Sequence, residues 1–180
     1  MMKKMFATVL VALALGSTTA TAASIGIGAF GGASIPIVND LSSNGSQFGV
    51  RVPVNLVPLL TVEPFFATSS LGNVEETFGP TTFERDGGKN TGFGANVLFT
   101  FGTGVQFFPF AGIGSYKIER DGSEDITDIG YNFGLGIGFS PIPKIGVNAR
   151  GEFNMVTTDE TSQKFANITL GASYSLVSMP

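Results

Sequence analysis

The stretch from Ile129 to Phe139 alternates strictly between large apolar residues and small or polar ones. Its odd-numbered positions are Ile129, Tyr131, Phe133, Leu135, Ile137 and Phe139, and its even-numbered positions are glycines or Asn132. Because successive side chains of a β-strand point to opposite faces, this pattern predicts a strand with one bulky apolar face and one slim face. No amphipathic helix that could cover the bulky face is visible after the first two dozen residues. We therefore expect the bulky face to contact lipid, with the glycines lining the inside of a narrow barrel.

The composition fits such a barrel and leaves few options for catalysis. Of 180 residues, 43% are hydrophobic and only 13% are charged, whereas about a quarter of residues are charged in an average soluble protein. No apolar run long enough for a transmembrane helix occurs beyond the N-terminus. The chain contains no Cys and no His, which argues against disulfides, a zinc site and histidine-based acid–base chemistry. We therefore expect a protein that is not an enzyme and binds no cofactor.

Residues 1–22 have the features of a cleaved signal peptide. Lys3 and Lys4 precede an apolar segment from Phe6 to Leu15, and Ala20-Thr21-Ala22 forms a small-residue cleavage site. The apolar segment is too short to span a bilayer. Residues 23–180 would then form the mature barrel, and loss of the two lysines would lower the formal net charge from −4 to −6. An acidic chain without a basic patch is not expected to bind nucleic acid.

The mature chain divides into eight segments that share the two-residue alternation and are long enough to cross a bilayer as tilted strands. These segments are Ser24–Ser34, Gln47–Asn55, Leu60–Ser69, Thr91–Phe101, Val105–Ile118, Ile129–Phe139, Ile145–Met155 and Phe165–Leu176. The connections alternate between long polar loops and tight turns, as in outer-membrane barrels. We predict an all-β fold, an eight-stranded antiparallel transmembrane up-and-down β-barrel, with both termini on the tight-turn, periplasmic side.

The charged residues support this assignment of the two faces. Twelve of the 14 acidic residues lie in the four long loops, and only Glu63 and Glu152 lie within predicted strands. Both fall on the slim face, as do Arg51 and Arg150, and we expect no charge on a bulky face. A charge facing lipid near the bilayer midplane would cost about 2–4 kcal/mol. The alternative is a soluble lipid-binding β-barrel, but its water-exposed face would be rich in glycine and poor in Lys and Glu, so we favour the membrane barrel.

Polar residues on the slim faces predict a network inside the barrel. Its members are Arg51, Glu63, Asn96, Asn132, Asn148, Arg150, Glu152 and Asn154. Arg51 and Glu63 lie at similar distances from the tight turn near residues 57 and 58, so we expect them to lie close together. An eight-stranded barrel is just wide enough to be filled by side chains, which favours a paired polar core in which every buried charge has a partner. The alternative is a gated pore whose Arg–Glu pairs exchange partners.

The acidic loop after the fifth segment is a weak candidate for a metal site. Asp121, Ser123 and Asp125 offer oxygen ligands at every second position, as in a calcium-binding loop. However, Ile126 stands where such a loop needs glycine, and Asn132 stands where it needs glutamate. We therefore expect a solvated acidic loop and no bound metal.

Three stretches resemble the small outer-membrane β-barrels of the OmpA/OmpX-like group. These stretches are PFAGIGSY at Pro109–Tyr116, GYNFGLGIGF at Gly130–Phe139 and ITLGASYSL at Ile168–Leu176. Members of the group often carry a P-[YF]-x-G-x-G strand and a terminal strand that ends in an aromatic residue. The resemblance implies a monomer in a bacterial outer membrane, inserted by the barrel-assembly machinery and surrounded by lipid and lipopolysaccharide.

The function implied by the resemblance is less specific than the fold. The group includes structural, adhesive, resistance-related and weakly pore-forming proteins. We therefore expect a structural or surface-interaction role, with long acidic loops outside the cell. A small porin-like solute channel remains the alternative.

Overall fold

A computed structural model of the protein describes residues 24–37, 43–78, 81–85, 87–119, 125–157 and 162–178, apart from the side chains between 74 and 85 and that of the last residue. The predicted signal peptide and its cleavage site lie outside the described residues. All regular structure in the described ranges is β-strand. Among these residues, no helix is long and apolar enough to cross a membrane.

The described residues form eleven strands, numbered here in chain order. They are β1 (Ser24–Ile37), β2 (Ser43–Arg51), β3 (Val54–Val57), β4 (Leu60–Gly72), β5 (Val74–Phe78), β6 (Thr81–Arg85), β7 (Lys89–Phe99), β8 (Val105–Glu119), β9 (Ile126–Ile142), β10 (Ile145–Val156) and β11 (Gln163–Ser178). Strands β2 and β3 both pair with β1 and with β4, so together they form one wall element of the barrel. Strands β5 and β6 pair only with each other.

The sheet closes on itself with eight antiparallel wall elements. Strand β11 pairs with β1 from Ser24↔Ser178 to Ile37↔Lys164, which leaves no free edge. The strands are staggered relative to one another. Gly28 on β1 pairs directly with Ser173 on β11, but stepping from partner to partner around the other strands leads from Gly28 to Gln163, ten residues earlier on β11. Such a stagger accompanies the strand tilt that closure of a barrel requires. The predicted all-β, eight-stranded antiparallel up-and-down barrel is confirmed.

One predicted strand is interrupted. The segment Gln47–Asn55 is divided at Val52 and Pro53, because proline has no amide hydrogen for the ladder. Backbone hydrogen bonds still connect residues 52 and 53 to the neighbouring strands β4 and β1. The Val52 amide donates to the Pro64 carbonyl, and the Gly26 amide donates to the Pro53 carbonyl, each at 2.9 Å. The wall therefore stays closed through the interruption.

The connections follow the predicted alternation of length. Tight turns join β3 to β4, β7 to β8, and β9 to β10, all at the end where both described termini lie. Gly102 and Gly104 have φ values of +99° and +84° in the second of these turns, a conformation in which glycine carries no steric cost. At the opposite end, the long connection after β4 contains the β5–β6 hairpin, which the sequence did not predict.

The two faces of Ile129–Phe139 lie as the alternation predicts. Its six bulky side chains are 49–55% exposed on the outside of the barrel, whereas Asn132 and the glycines at 130, 136 and 138 are buried. One detail of the predicted sorting is wrong, since Lys117 shares the outward face of β8 with Ile113. It lies near the long-loop end of that strand, where it bonds to Glu119 and Asp125 instead of facing the apolar band.

Candidate functional site

The centre of the lumen holds one carboxylate between two guanidinium groups. Glu63 on β4 is 2% exposed, and it accepts hydrogen bonds from both terminal nitrogens of Arg150 at 2.6 and 2.8 Å. Arg51 on β2 approaches the same carboxylate, with its Nε 3.8 Å from Oε1. The sequence correctly places Arg51 beside Glu63, but the close bidentate partner is Arg150 from the opposite part of the chain. Bidentate Arg–carboxylate pairs fix both side chains in orientation as well as in distance.

Neighbouring side chains hold the two arginines in place. Arg51 donates from Nη1 to Asn148 and from Nη2 to Thr169, both at 3.3 Å, and lies over the ring of Phe30 at 3.7 Å. The Arg150 guanidinium lies 4.9 and 5.4 Å from two ring centroids, those of Phe108 and Phe110. Cation–π contacts of desolvated guanidiniums are worth about 2 kcal/mol or more.

Glu152 belongs to a second polar layer. Its Oε1 accepts hydrogen bonds from Asn154 at 2.8 Å and from Asn167 at 3.3 Å. Tyr116 in turn donates its hydroxyl to Asn154 at 3.1 Å. In the part of the chain that the structure describes, Glu152 forms no ion pair, so the carboxylate is held by amides.

A third contact joins two more of the predicted residues. Asn132 donates to the Oδ1 of Asn96 at 2.9 Å, from β9 to β7. Both side chains are 2% exposed. Gly112 lies between them on β8, and a Cβ there would stand 2.1 and 2.4 Å from the two amide oxygens. The absence of a side chain at Gly112 is therefore what allows the two amides to meet.

An apolar layer lies inside the barrel toward the long loops. It consists of Tyr116, Ile118, Val156 and Phe165, with Phe65 packed against them. Val156 has no exposed surface, and the rings of Tyr116 and Phe165 meet edge to face with centroids 6.4 Å apart. This cluster and the two polar layers bring side chains of opposite strands into contact inside the barrel, as the narrow bore of an eight-stranded barrel allows.

The glycines of β9 make room for aromatic rings. A Cβ at Gly136 would lie 2.1 Å from the ring of Phe108, and one at Gly134 would lie 2.6 Å from the ring of Phe110. Gly130 likewise faces Tyr116, at 2.6 Å. The sequence predicted that these glycines face the lumen, but it assigned the space to the polar and charged side chains.

All eight residues of the predicted network thus lie inside the barrel. The additional members are Phe30, Phe108, Phe110, Tyr116, Asn167 and Thr169. Strand parity could have identified Phe108, Phe110 and Tyr116, since they follow the same inward register as Gly112 and Gly114. Their bulk hid them, because large apolar residues were assigned to the lipid face.

A cavity of about 260 Å³ lies at the tight-turn end of the lumen. Arg51, Glu63 and Arg150 are among its lining residues, and Lys144 joins them from the tight turn between β9 and β10. Three further lining residues are linked by hydrogen bonds of 2.5 Å. The Thr61 hydroxyl donates to the amide oxygen of Asn55, and the amide nitrogen of Asn55 donates to the Ser24 hydroxyl. The charged centre of the lumen therefore borders a cavity at this end.

The weak metal candidate gains no support. Asp121 and Ser123 lie outside the described residues, and Asp125 bonds to Lys117 at 2.7 Å. No group of three or more His, Cys, Asp or Glu residues suited to a metal ion occurs among the described residues.

Residues 7–175 match the family model described as "Outer membrane protein beta-barrel domain". No match was found among curated protein sequences. The barrel is similar to the crystal structure of Neisserial surface protein A, with a TM-score of 0.60 at 17% identity over 86% of this chain and 97% of that chain.

Two further solved structures share the fold. Ail, the attachment invasion locus protein of Yersinia pestis, was solved with the heparin analogue sucrose octasulfate; it has a TM-score of 0.53 at 22% identity over 88% of this chain and 100% of that chain. The N-terminal β-barrel domain of Pseudomonas aeruginosa OprF has a TM-score of 0.53 at 16% identity, over 84% of this chain and 97% of that chain. At these identities the similarity concerns the fold. The family match favours a transmembrane barrel over the soluble alternative, and this chain belongs to the outer membrane protein β-barrel domain family.

Proposed function

We propose that this chain is a non-enzymatic barrel of the bacterial outer membrane with a structural or surface-interaction role. The observation that supports this proposal is the set of side-chain contacts that cross the lumen. Glu63 bonds to Arg150 at 2.6 and 2.8 Å, and the apolar cluster around Val156 lies beyond it toward the long loops. Steady flow of ions or solutes would require both layers to separate, and breaking a buried ion pair costs about 3–5 kcal/mol.

The long loops are the natural place for an interaction. By position in the sequence, twelve acidic residues and five basic ones (Arg85, Lys89, Lys117, Arg120 and Lys164) belong to the long-loop end. This excess of negative charge favours cationic partners, or divalent cations that bridge to lipopolysaccharide. The heparin analogue seen with Ail is polyanionic, so the negative charge at this end does not favour a ligand of that kind.

The location and surroundings form part of the same proposal. We infer export through the signal peptide in residues 1–22, insertion by the barrel-assembly machinery, and a monomer in contact with outer-membrane lipid and lipopolysaccharide. Fractionation of cells that express the full chain should recover it in the outer membrane, with gel migration that changes on heating. Recovery in the detergent-free periplasmic fraction would contradict this location.

Planar-bilayer recording tests the functional assignment. The wild-type barrel should give no steady conductance above the bare bilayer, whereas the double variant Glu63→Ala/Arg150→Ala should show more frequent openings. A second variant, Glu119→Gln, changes an exposed carboxylate at the other end and should behave as wild type. Steady wild-type conductance that falls when bulkier lumen residues are introduced would instead support the small solute channel, whose one favourable feature is the cavity that reaches Glu63 from the tight-turn end.

A further inference from the structure

The cavity at the tight-turn end, here called the vestibule, carries an excess of positive charge. Three cationic side chains line it, those of Arg51, Arg150 and Lys144, and Glu63 is the only acidic residue among its lining residues. Arg51 and Arg150 are each 6% exposed, so water screens them far less than it screens surface charges. The second lumenal carboxylate, Glu152, is engaged by Asn154 and Asn167.

The two guanidiniums retain unused hydrogen-bond donors. Each carries five N–H groups, and the bonds described above use two on each. The Nε of Arg150 is buried and finds no hydrogen-bond partner among the described residues. The two bonds of Arg51 are long at 3.3 Å, and its Nε stays 3.8 Å from Glu63. The two guanidiniums therefore have one directly paired carboxylate between them, and several of their donors stay unused.

The vestibule has the size and lining for a small solute. A water molecule occupies about 30 Å³ of the liquid, so the cavity of about 260 Å³ can hold an oxyanion together with several waters. Hydroxyl and amide groups surround the charged floor, among them Ser24, Asn55, Thr61 and Gln106. The continuous sheet separates this space from the lipid, and the layers beyond Glu63 close its inner end.

We propose that the vestibule binds a phosphate-sized oxyanion that enters from the aqueous side at the tight-turn end. Arg51 and Lys144 supply the principal contacts, and Arg150 contributes charge from behind Glu63. Two oxygens of such an anion can accept hydrogen bonds from the guanidinium fork, and charge-assisted bonds of this kind are about twice as strong as neutral ones. The cavity lies at one end of the barrel, so an anion can enter and leave it through that end without passing through the lumen.

Titration calorimetry with inorganic phosphate tests the proposal. The mature barrel is refolded in maltoside micelles, whose headgroups carry no phosphate, and correct folding is checked by heat-dependent gel migration. We expect saturable binding of one phosphate per barrel. Arg51→Gln should weaken it at least about tenfold, and Lys144→Asn about threefold, since each removes one cation from the site. Asparagine suits the left-handed backbone at position 144, where φ is +70°.

A matched control separates the vestibule from general surface charge. Lys117→Gln removes a cation from the other end of the barrel and should leave phosphate affinity unchanged. Three results would overturn the proposal: no saturable binding to the wild type, unchanged affinity in both Arg51→Gln and Lys144→Asn, or an equal loss in Lys117→Gln. If Arg51→Gln fails to fold, Lys144→Asn decides alone. Competition by phosphatidylglycerol added to the micelles would assign the site to a lipid headgroup and overturn the solute assignment.

Discussion

Arg150 donates two hydrogen bonds to Glu63, at 2.6 and 2.8 Å, although 87 positions separate the two residues in the chain. The pair joins β10 to β4, which are not neighbours in the sheet. It therefore crosses the lumen and ties opposite parts of the wall together. Because Arg51 approaches the same carboxylate, the single negative charge of Glu63 is shared by two guanidiniums.

Replacing Glu63 should strongly destabilise the barrel. Glu63→Gln removes the carboxylate that two buried guanidiniums share, and we expect the free energy of unfolding to fall by about 3–5 kcal/mol. Urea titration in lipid vesicles, read from the folded and unfolded gel bands, measures the change. Glu119→Gln removes an exposed carboxylate and should stay within about 0.5 kcal/mol of the wild type. A Glu63→Gln barrel as stable as that control would show that the ion cluster does not support the fold.

The slim face of β9 should not tolerate a methyl group. A Cβ at Gly136 would lie 2.1 Å from Phe108, so we expect Gly136→Ala to lower the free energy of unfolding by about 1–3 kcal/mol through overpacking. Gly151→Ala is the matched control, because nothing lies within 4 Å of a Cβ at this position on the outer face of β10. That variant should be neutral or slightly stabilised, since glycine weakens a strand interior. Equal effects of the two substitutions would refute this account of the glycines.

The tyrosine hydroxyl inside the barrel should contribute more than one outside. Tyr116→Phe removes the donor to the buried Asn154, and leaving that acceptor unpaired should cost about 1–3 kcal/mol. Tyr131→Phe makes the same chemical change on the outer face, where the side chain is 49% exposed. Its effect should stay within about 0.5 kcal/mol. Urea unfolding of both variants provides the comparison, and a larger loss for Tyr131→Phe would contradict the assignment of the two faces.

A charge on the outer face should be penalised according to depth. Leu135 lies midway along β9, and Leu135→Arg should cost about 2–4 kcal/mol in lipid vesicles. Ile142→Arg places the same charge at the tight-turn end of that strand, where the cost near the interface is only about 0–1 kcal/mol. Both side chains are 55% exposed, so the pair differs in depth and not in burial by protein. Similar losses for the two variants would argue against lipid as the neighbour of this face.

Several features of the barrel could be predicted from local sequence. The alternation in Ile129–Phe139 identifies the outer and inner faces of β9, because side chains of a strand alternate whatever the strand pairs with. The same reasoning places Glu63 and Arg150 inside. Two features were missed. The break at Pro53 arises because proline lacks the amide hydrogen that the strand ladder needs at that point. The β5–β6 hairpin arises from strand pairing within a segment that was predicted as a long polar loop.

The sequence by itself determined the number of wall elements, their alternating loops and the inward position of the predicted polar residues, since these follow from a period of two and from the position of polar connections. Only the tertiary structure decided which inward residues meet. The stagger of the strands sets the height of every side chain in the lumen, and this brings Arg150 to Glu63 and leaves Glu152 to Asn154 and Asn167. It also brings Phe108 against Gly136, so the slim face of Ile129–Phe139 accommodates aromatic rings of the neighbouring strand that the alternation alone could not reveal.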